Sequence, residues 1–184
     1  MSAATSPRRP AVVLIGFMGA GKSTVGKVLA DRLGLDFIDT DTELVRREGR
    51  AIPEIFTTDG PERFREIERD VVLDVLRNHT GIVALGGGAV MTPAVADGLA
   101  GHRVVYLQIT ADDGYERVRG SDRPLIAGPD PHERYRELLA ERDETYRRTG
   151  TFVVDATAGD ADGVADVILA ELARELVPER APTT

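Results

Sequence analysis

The chain has no cysteine and no tryptophan, so disulfides, thiolate metal sites and redox chemistry on protein sulfur are excluded. Aromatic residues make up only 5 % of it, and the three histidines, His79, His102 and His132, are scattered without the spacing of a ligand set. Nothing resembles a Ser/His/Asp triad. No apolar run approaches the ~20 residues a membrane-spanning helix needs, and residues 1–10 lack the apolar middle of an export signal. A cytoplasmic protein with no membrane partner is the expectation. Positive charge is also in deficit: 23 Lys and Arg stand against 31 Asp and Glu, a net −8, which argues against a broad nucleic-acid footprint. The rest is ordinary, with 42 % hydrophobic and 29 % charged residues over 184 positions, enough for one core in one domain. No exposed heptad or large apolar patch can be read, so a monomer is expected.

Apolar runs at 11–15, 35–38, 81–85, 103–109 and 152–154 alternate with helical periodicity near 22–33, 40–48, 61–78, 92–99, 111–119, 131–148 and 161–175. That alternation predicts a three-layer α/β sandwich around a central five-stranded parallel sheet. Pro53 and Pro61 suit helix starts. The core should run over about 11–176, with frayed ends at 1–10 and 177–184. Residues 120–131 are rich in turn formers and carry Arg123, which reads as a mobile loop or lid over about 118–131.

The first apolar run leads directly into Gly16-Phe17-Met18-Gly19-Ala20-Gly21-Lys22-Ser23 and then a helix, the context that a phosphate-binding P-loop requires. Backbone N–H groups of Gly19, Ala20 and Gly21 can cradle phosphate oxygens at the positive end of the helix dipole. Lys22 can reach the β- and γ-phosphates, and the Ser23 hydroxyl can ligate Mg²⁺. A nucleoside triphosphate is therefore the expected ligand.

The second run ends in Asp39-Thr40-Asp41, beside the point where the P-loop emerges. If the strand continues, Asp39 and Asp41 share a side, so one carboxylate can hold Mg²⁺ through water and the other can take a proton or hydrogen bond from an attacking hydroxyl. Capping of the next helix by Thr40 or Asp41 is the structural alternative. Further on, the apolar stripe Phe64, Ile67, Val71, Val72 and Val75 is interrupted by Glu68, placed to hold Arg65 three residues before it. Arg142 likewise interrupts Tyr135, Leu138, Leu139 and Tyr146. Two inward arginines on separate helices suit a bidentate grip on a carboxylate or phosphate other than the nucleotide's own. After the third run, Gly86-Gly87-Gly88 clears side chains from a pocket floor and offers backbone amides to hydroxyl groups.

In order and spacing, these pieces resemble the shikimate kinases, P-loop enzymes related to the nucleoside monophosphate kinases. The likeness rests on Gly16 to Thr24, Asp39-Thr40-Asp41, Ile55-Phe56 through Asp59-Gly60 to Phe64-Arg65 and Glu68, Gly86-Gly87-Gly88, Arg123-Pro124-Leu125, and Arg142 within Tyr135 to Tyr146. The resemblance implies transfer of phosphate from ATP, with Mg²⁺, to the 3-hydroxyl of shikimate, a carboxylated cyclohexene triol. It implies that Arg65 and Arg142 bind the carboxylate, that Asp41 and the Gly86–Gly88 segment meet the hydroxyls, and that Phe56 and Phe64 line the pocket. By the same likeness Glu68 orients Arg65 and Asp41 is the candidate base. Lys22 and Arg123 stabilise the transferred phosphoryl group, Ser23 and Asp39 position Mg²⁺, and residues Gly19 to Thr24 hold the nucleotide. The chain departs from the pattern after its last strand, where Asp155 to Asp160 has no basic residue, while Arg117 and Arg119 are candidates to join Arg123. Another kinase of the same architecture, acting on gluconate or a nucleoside monophosphate, and a nucleotide-dependent switch are the competing readings.

Overall fold

The computed structural model describes residues 9–121, 124–157 and 159–176. Of the ends expected to fray, 1–10 and 177–184, all but Arg9 and Pro10 lie outside these limits, and so does Arg123. Strands β1 (Val12–Ile15), β2 (Phe37–Asp39), β3 (Ile82–Ala84), β4 (Val104–Gln108) and β5 (Phe152–Asp155) form one sheet in the order β2-β3-β1-β4-β5. Every neighbouring pair is parallel, with Val13 aligned to Val83 on one side and to Val104 on the other.

Strand alternation divides the core in two. Val12 and Leu14 face a layer that contains Val25 and Leu29 of α1 (Lys22–Leu33) and Ile168 of α8 (Ala161–Leu176). Val13 and Ile15 face the opposite layer, which includes Val72 of α4 (Gly60–Asn78), Val95 of α5 (Pro93–Gly98) and Tyr146 of α7 (Pro131–Thr149). β1 is buried on both faces, which is why it reads as an unbroken apolar run. Three layers around a five-stranded parallel sheet agree with the sequence expectation.

α2 (Thr40–Glu48) and α6 (Ala111–Val118) also follow the expected spans closely. One helix differs from the sequence reading: α3 (Ile52–Thr58), for which only the start signal at Pro53 was legible. At seven residues it is too short to show a helical period, and it packs on α4 through buried Ile55. Between α6 and α7 the described part of the expected lid includes a single 3₁₀ turn, Pro124–Ile126. β1, β2 and β3 lie side by side, so the segments that follow them converge at one end of the sheet, where ligands of open α/β folds bind.

Candidate active site

The P-loop leaves β1 and enters α1 with Gly21 in the left-handed region at φ 84°, a conformation an L side chain rarely adopts. Lys22 Nζ donates to the carbonyls of Gly16 at 2.8 Å and Phe17 at 3.1 Å, so its ammonium lies along the loop. Ser23 Oγ donates to Asp39 Oδ2 at 2.5 Å. The other oxygen of Asp39 accepts the N–H groups of Asp41 at 3.0 Å and Thr42 at 3.2 Å. The cap of α2 is therefore Asp39 rather than Thr40 or Asp41.

This turn changes how the two aspartates relate. β2 stops at Asp39 and the chain becomes helical at Thr40, so the extended geometry that would have set Asp39 and Asp41 side by side does not continue. Asp39 stays at the Ser23 hydroxyl, whereas Asp41 lines a separate cavity of about 360 Å³. Thr40, between them, is buried and accepts the Gly86 N–H at 3.0 Å.

That cavity gathers most of the residues singled out in the sequence. Asp41, Arg65, Glu68 and Arg142 bring the charges, and Phe56, Phe64, Gly87 and Gly88 complete the expected wall. The rings of Phe56 and Phe64 lie 4.3 Å apart. Gly86 is the exception. It lies behind the wall, its amide committed to Thr40, and a Cβ there would collide with the carboxylates of Asp41 and Glu68. Its role is to make room. Gly88 does line the cavity, and a Cβ on it would stand 2.6 Å from both terminal nitrogens of Arg65, so the guanidinium lies flat against bare backbone.

The two arginines are held differently. Arg65 is paired with Glu68, which is only 3 % exposed, and its guanidinium stands 5.2 Å from the Phe64 ring centroid. Burial pushes the Glu68 carboxyl above the ordinary range, against the opposing pull of Arg65. Arg142 stands 5.3 Å from the Phe17 ring centroid, and no carboxylate among the described residues forms a salt bridge with it. Glu68 acts on it only at a distance, and a half-buried guanidinium packed on an aromatic face with no carboxylate bridged to it is a ready site for an anionic ligand.

Behind the wall, Tyr146 donates its hydroxyl to the Gly87 carbonyl, and Tyr135 donates to the Met18 carbonyl at 2.6 Å. Both were legible only as apolar members of a helix face. Met18, Ile52, Pro53, Ser121 and Leu125 also line the cavity without having been assigned to it. For Ile52 and Pro53 the cause is the unread helix α3.

A second cavity, about 250 Å³, lies against Gly19, Ala20, Gly21 and Thr24 of the P-loop. Its far wall is Ala156, Gly159, Asp160, Ala161 and Val164, from the loop after β5 and the start of α8. Arg117 lines it too, donating to the carbonyls of Gly19 at 3.3 Å and Ala156 at 3.0 Å. Arg119 instead pairs with Glu116 at 3.0 Å on the exposed side of α6. Met18 touches the first cavity and Gly19 the second, so adjacent P-loop residues separate the two.

The shikimate kinase family model matches residues 18–173. Shikimate kinase of Mycobacterium avium is 51 % identical over 164 residues, 89 % of this chain and 93 % of that protein. Its counterpart in Mycobacterium tuberculosis (strain CDC 1551 / Oshkosh) is 49 % identical over the same coverage. Among solved structures, the shikimate kinase of Acinetobacter baumannii in complex with shikimate superposes with a TM-score of 0.88 at 33 % identity, covering 94 % of this chain and 97 % of that one. A deoxyadenosine kinase from M. mycoides, 16 % identical with a TM-score of 0.58 and coverage of 89 % and 99 %, shares the fold. With a family match over most of its length and relatives near half identity, this chain belongs to the shikimate kinase family.

Proposed function

We propose that this protein transfers the γ-phosphoryl group of ATP to the 3-hydroxyl of shikimate, giving 3-phosphoshikimate and ADP. The observation that carries the reading is the pair Arg65 and Arg142 over a cavity whose floor is Asp41 and the Gly87–Gly88 backbone. Two guanidinium groups match one carboxylate, and a carboxylate with backbone amides matches a ring of hydroxyls. A cavity of about 360 Å³ suits a compact triol acid.

In this mechanism the second cavity and the P-loop amides hold ATP, with Arg117 on the wall where the base and sugar lie. Lys22 moves along the loop to the β- and γ-phosphates and stabilises charge spreading over the transferred group. Ser23 and Asp39 present a hydroxyl and a carboxylate within 2.5 Å of each other, hard oxygen donors of the kind Mg²⁺ prefers. When bound, the ion neutralises charge between the β- and γ-phosphates. Arg65, kept in place by Glu68, and Arg142 fix the carboxylate of the acceptor, which orients the 3-hydroxyl toward Asp41 and the P-loop. The hydroxyl oxygen attacks the γ-phosphorus, the bond to the β-phosphate oxygen breaks, and Asp41 accepts the hydroxyl proton. Because the transition state is loose, Asp41 chiefly orients the nucleophile before taking that proton. The 118–131 segment, with Arg123, is assigned as the lid that excludes water, supported by Ser121 and Leu125 at the cavity rim. A monomer in the cytoplasm completes the reading.

ADP release coupled to a spectrophotometric readout, with MgATP and shikimate, gluconate, AMP or no acceptor, tests the assignment. Release dependent on shikimate, with a phosphoshikimate mass, is expected. Release dependent on gluconate or AMP would give the cavity a different ligand, and release without acceptor would favour a nucleotide switch.

A further inference from the structure

Tyr146 sits one helical turn beyond Arg142 on α7, with its side chain buried and its ring stacked on Tyr106 at a centroid distance of 5.1 Å. Its hydroxyl donates to the carbonyl of Gly87. No peptide bond in the described chain is cis, so the Gly87 carbonyl and the Gly88 N–H point in opposite directions across one planar unit. Tying the carbonyl toward α7 therefore turns the Gly88 N–H away from α7. Gly88 lines the cavity, and among the described residues no acceptor is hydrogen-bonded to that N–H. A peptide between two glycines has no Cβ on either side to resist rotation as a unit, so an external tether is what gives it one orientation.

We infer that Tyr146 is a positioning residue for the acceptor: its hydroxyl holds the Gly87–Gly88 peptide so that the Gly88 N–H is presented to a hydroxyl of the triol. The inference rests on the shikimate reading above. It assigns the tyrosine hydroxyl a role in substrate geometry, distinct from the role of its ring in the core.

Tyr146→Phe keeps the ring and removes the tether together with the hydroxyl's hydrogen bond to Arg142. The expected result is a rise in KM for shikimate of about 3- to 10-fold, the scale of one hydrogen bond, with KM for ATP unchanged. Acceptor analogues separate this from general loosening of α7 or of Arg142. With 4-deoxy- and 5-deoxyshikimate, the penalty of the substitution should vanish for the analogue that lacks the hydroxyl held by Gly88 and persist for the other. An equal penalty with all three acceptors, or none with shikimate, overturns the inference. A second measurement needs no variant: in the unsubstituted protein the Gly88 amide should gain protection from hydrogen exchange on adding shikimate, and unchanged exchange also overturns it. Failure of the function reading would show separately, as no shikimate-dependent ADP release from the unsubstituted protein.

Discussion

Arg65 and Arg142 were both visible in the sequence as cations on apolar helix faces, but their surroundings give them different sensitivities. Arg65 depends on Glu68, whose carboxyl is raised above the usual range because burial outweighs the guanidinium beside it. A raised folded-state pKa means that the folded state holds the proton more tightly, so this contribution is fully present below the unfolded pKa and is lost as pH rises through the folded one. Glu68→Gln removes that loss. The difference in thermal midpoint between variant and unsubstituted protein should therefore move in favour of the variant as pH rises from the ordinary carboxylate range. The same variant loosens Arg65, and KM for shikimate should rise about 10-fold, the scale of a charged hydrogen bond. A flat difference in midpoint across pH would contradict the assignment of Glu68. Asp41→Asn keeps the shape and removes the proton acceptor, so kcat should fall about 10²-fold or more with KM for ATP unchanged. The tyrosine hydroxyls were not legible at this scale, because Tyr135 and Tyr146 fall on the period of the apolar face and a hydroxyl leaves no mark in a pattern of hydrophobicity. Gly86 was visible as a glycine, but whether it floors the cavity or backs it is decided by Thr40 and Asp41, on another strand's connection.

At the scale of elements, the helix starts and strand ends carry the function. α2 is fixed by Asp39 at its N-terminus and by Glu43, which holds both Arg46, at 2.7 Å, and Arg47, at 2.6 Å. Arg46, with Arg47, holds the Glu43 carboxyl at about 2, against the effect of burial. A depressed folded-state pKa gives stability that is present above the unfolded value and lost as pH falls toward the folded one. Glu43→Gln should therefore be less stable than the unsubstituted protein at pH 6, with the two converging near pH 2, as urea midpoints would show. The difference should shrink in high salt, since Arg46 is well exposed. Long elements with a clear period, such as α4 and α7, were legible to within a residue or two. α3 was not, since seven residues make fewer than two turns, too few for a repeating apolar stripe, and the consequence was that Ile52 and Pro53 were missed on the cavity wall. The end of β2 was misjudged for a related reason: alternation alone does not show where an extended segment turns into a helix, and an aspartate at that point serves equally as strand end and cap.

At the scale of the whole molecule, a five-stranded parallel sheet with β1 central places the P-loop, the Asp39–Asp41 turn and the glycine floor at the carboxyl ends of three adjacent strands. The fold thus assembles two cavities from segments far apart in sequence, one of about 360 Å³ and one of about 250 Å³, with the P-loop between them. Ligands that bind the folded state alone stabilise it by mass action, about 2.7 kcal/mol at a concentration 100 times Kd. For a domain of this size that is a rise in thermal midpoint of roughly 5–10 °C. Shikimate at saturating concentration should produce such a rise, and gluconate should not. Equal shifts with both would contradict a cavity selective for the compact acid. The five strands and the presence of a phosphate cradle were legible in the sequence because both rest on local patterns, whereas the order of the strands and the separation of the two cavities depend on contacts between segments that no local pattern records.

The most direct measurement is calorimetric titration of shikimate into the unsubstituted protein and into Arg142→Ala, with ADP titrated into each as a control. Because no carboxylate among the described residues is salt-bridged to Arg142, its removal should cost little structure but should release the ligand. Shikimate affinity should therefore fall about 10- to 100-fold while ADP affinity stays within twofold, the range of a charge-assisted bidentate contact. Shikimate affinity unchanged in Arg142→Ala would contradict the account, because the cavity would then hold its acceptor without the residue that most distinguishes it.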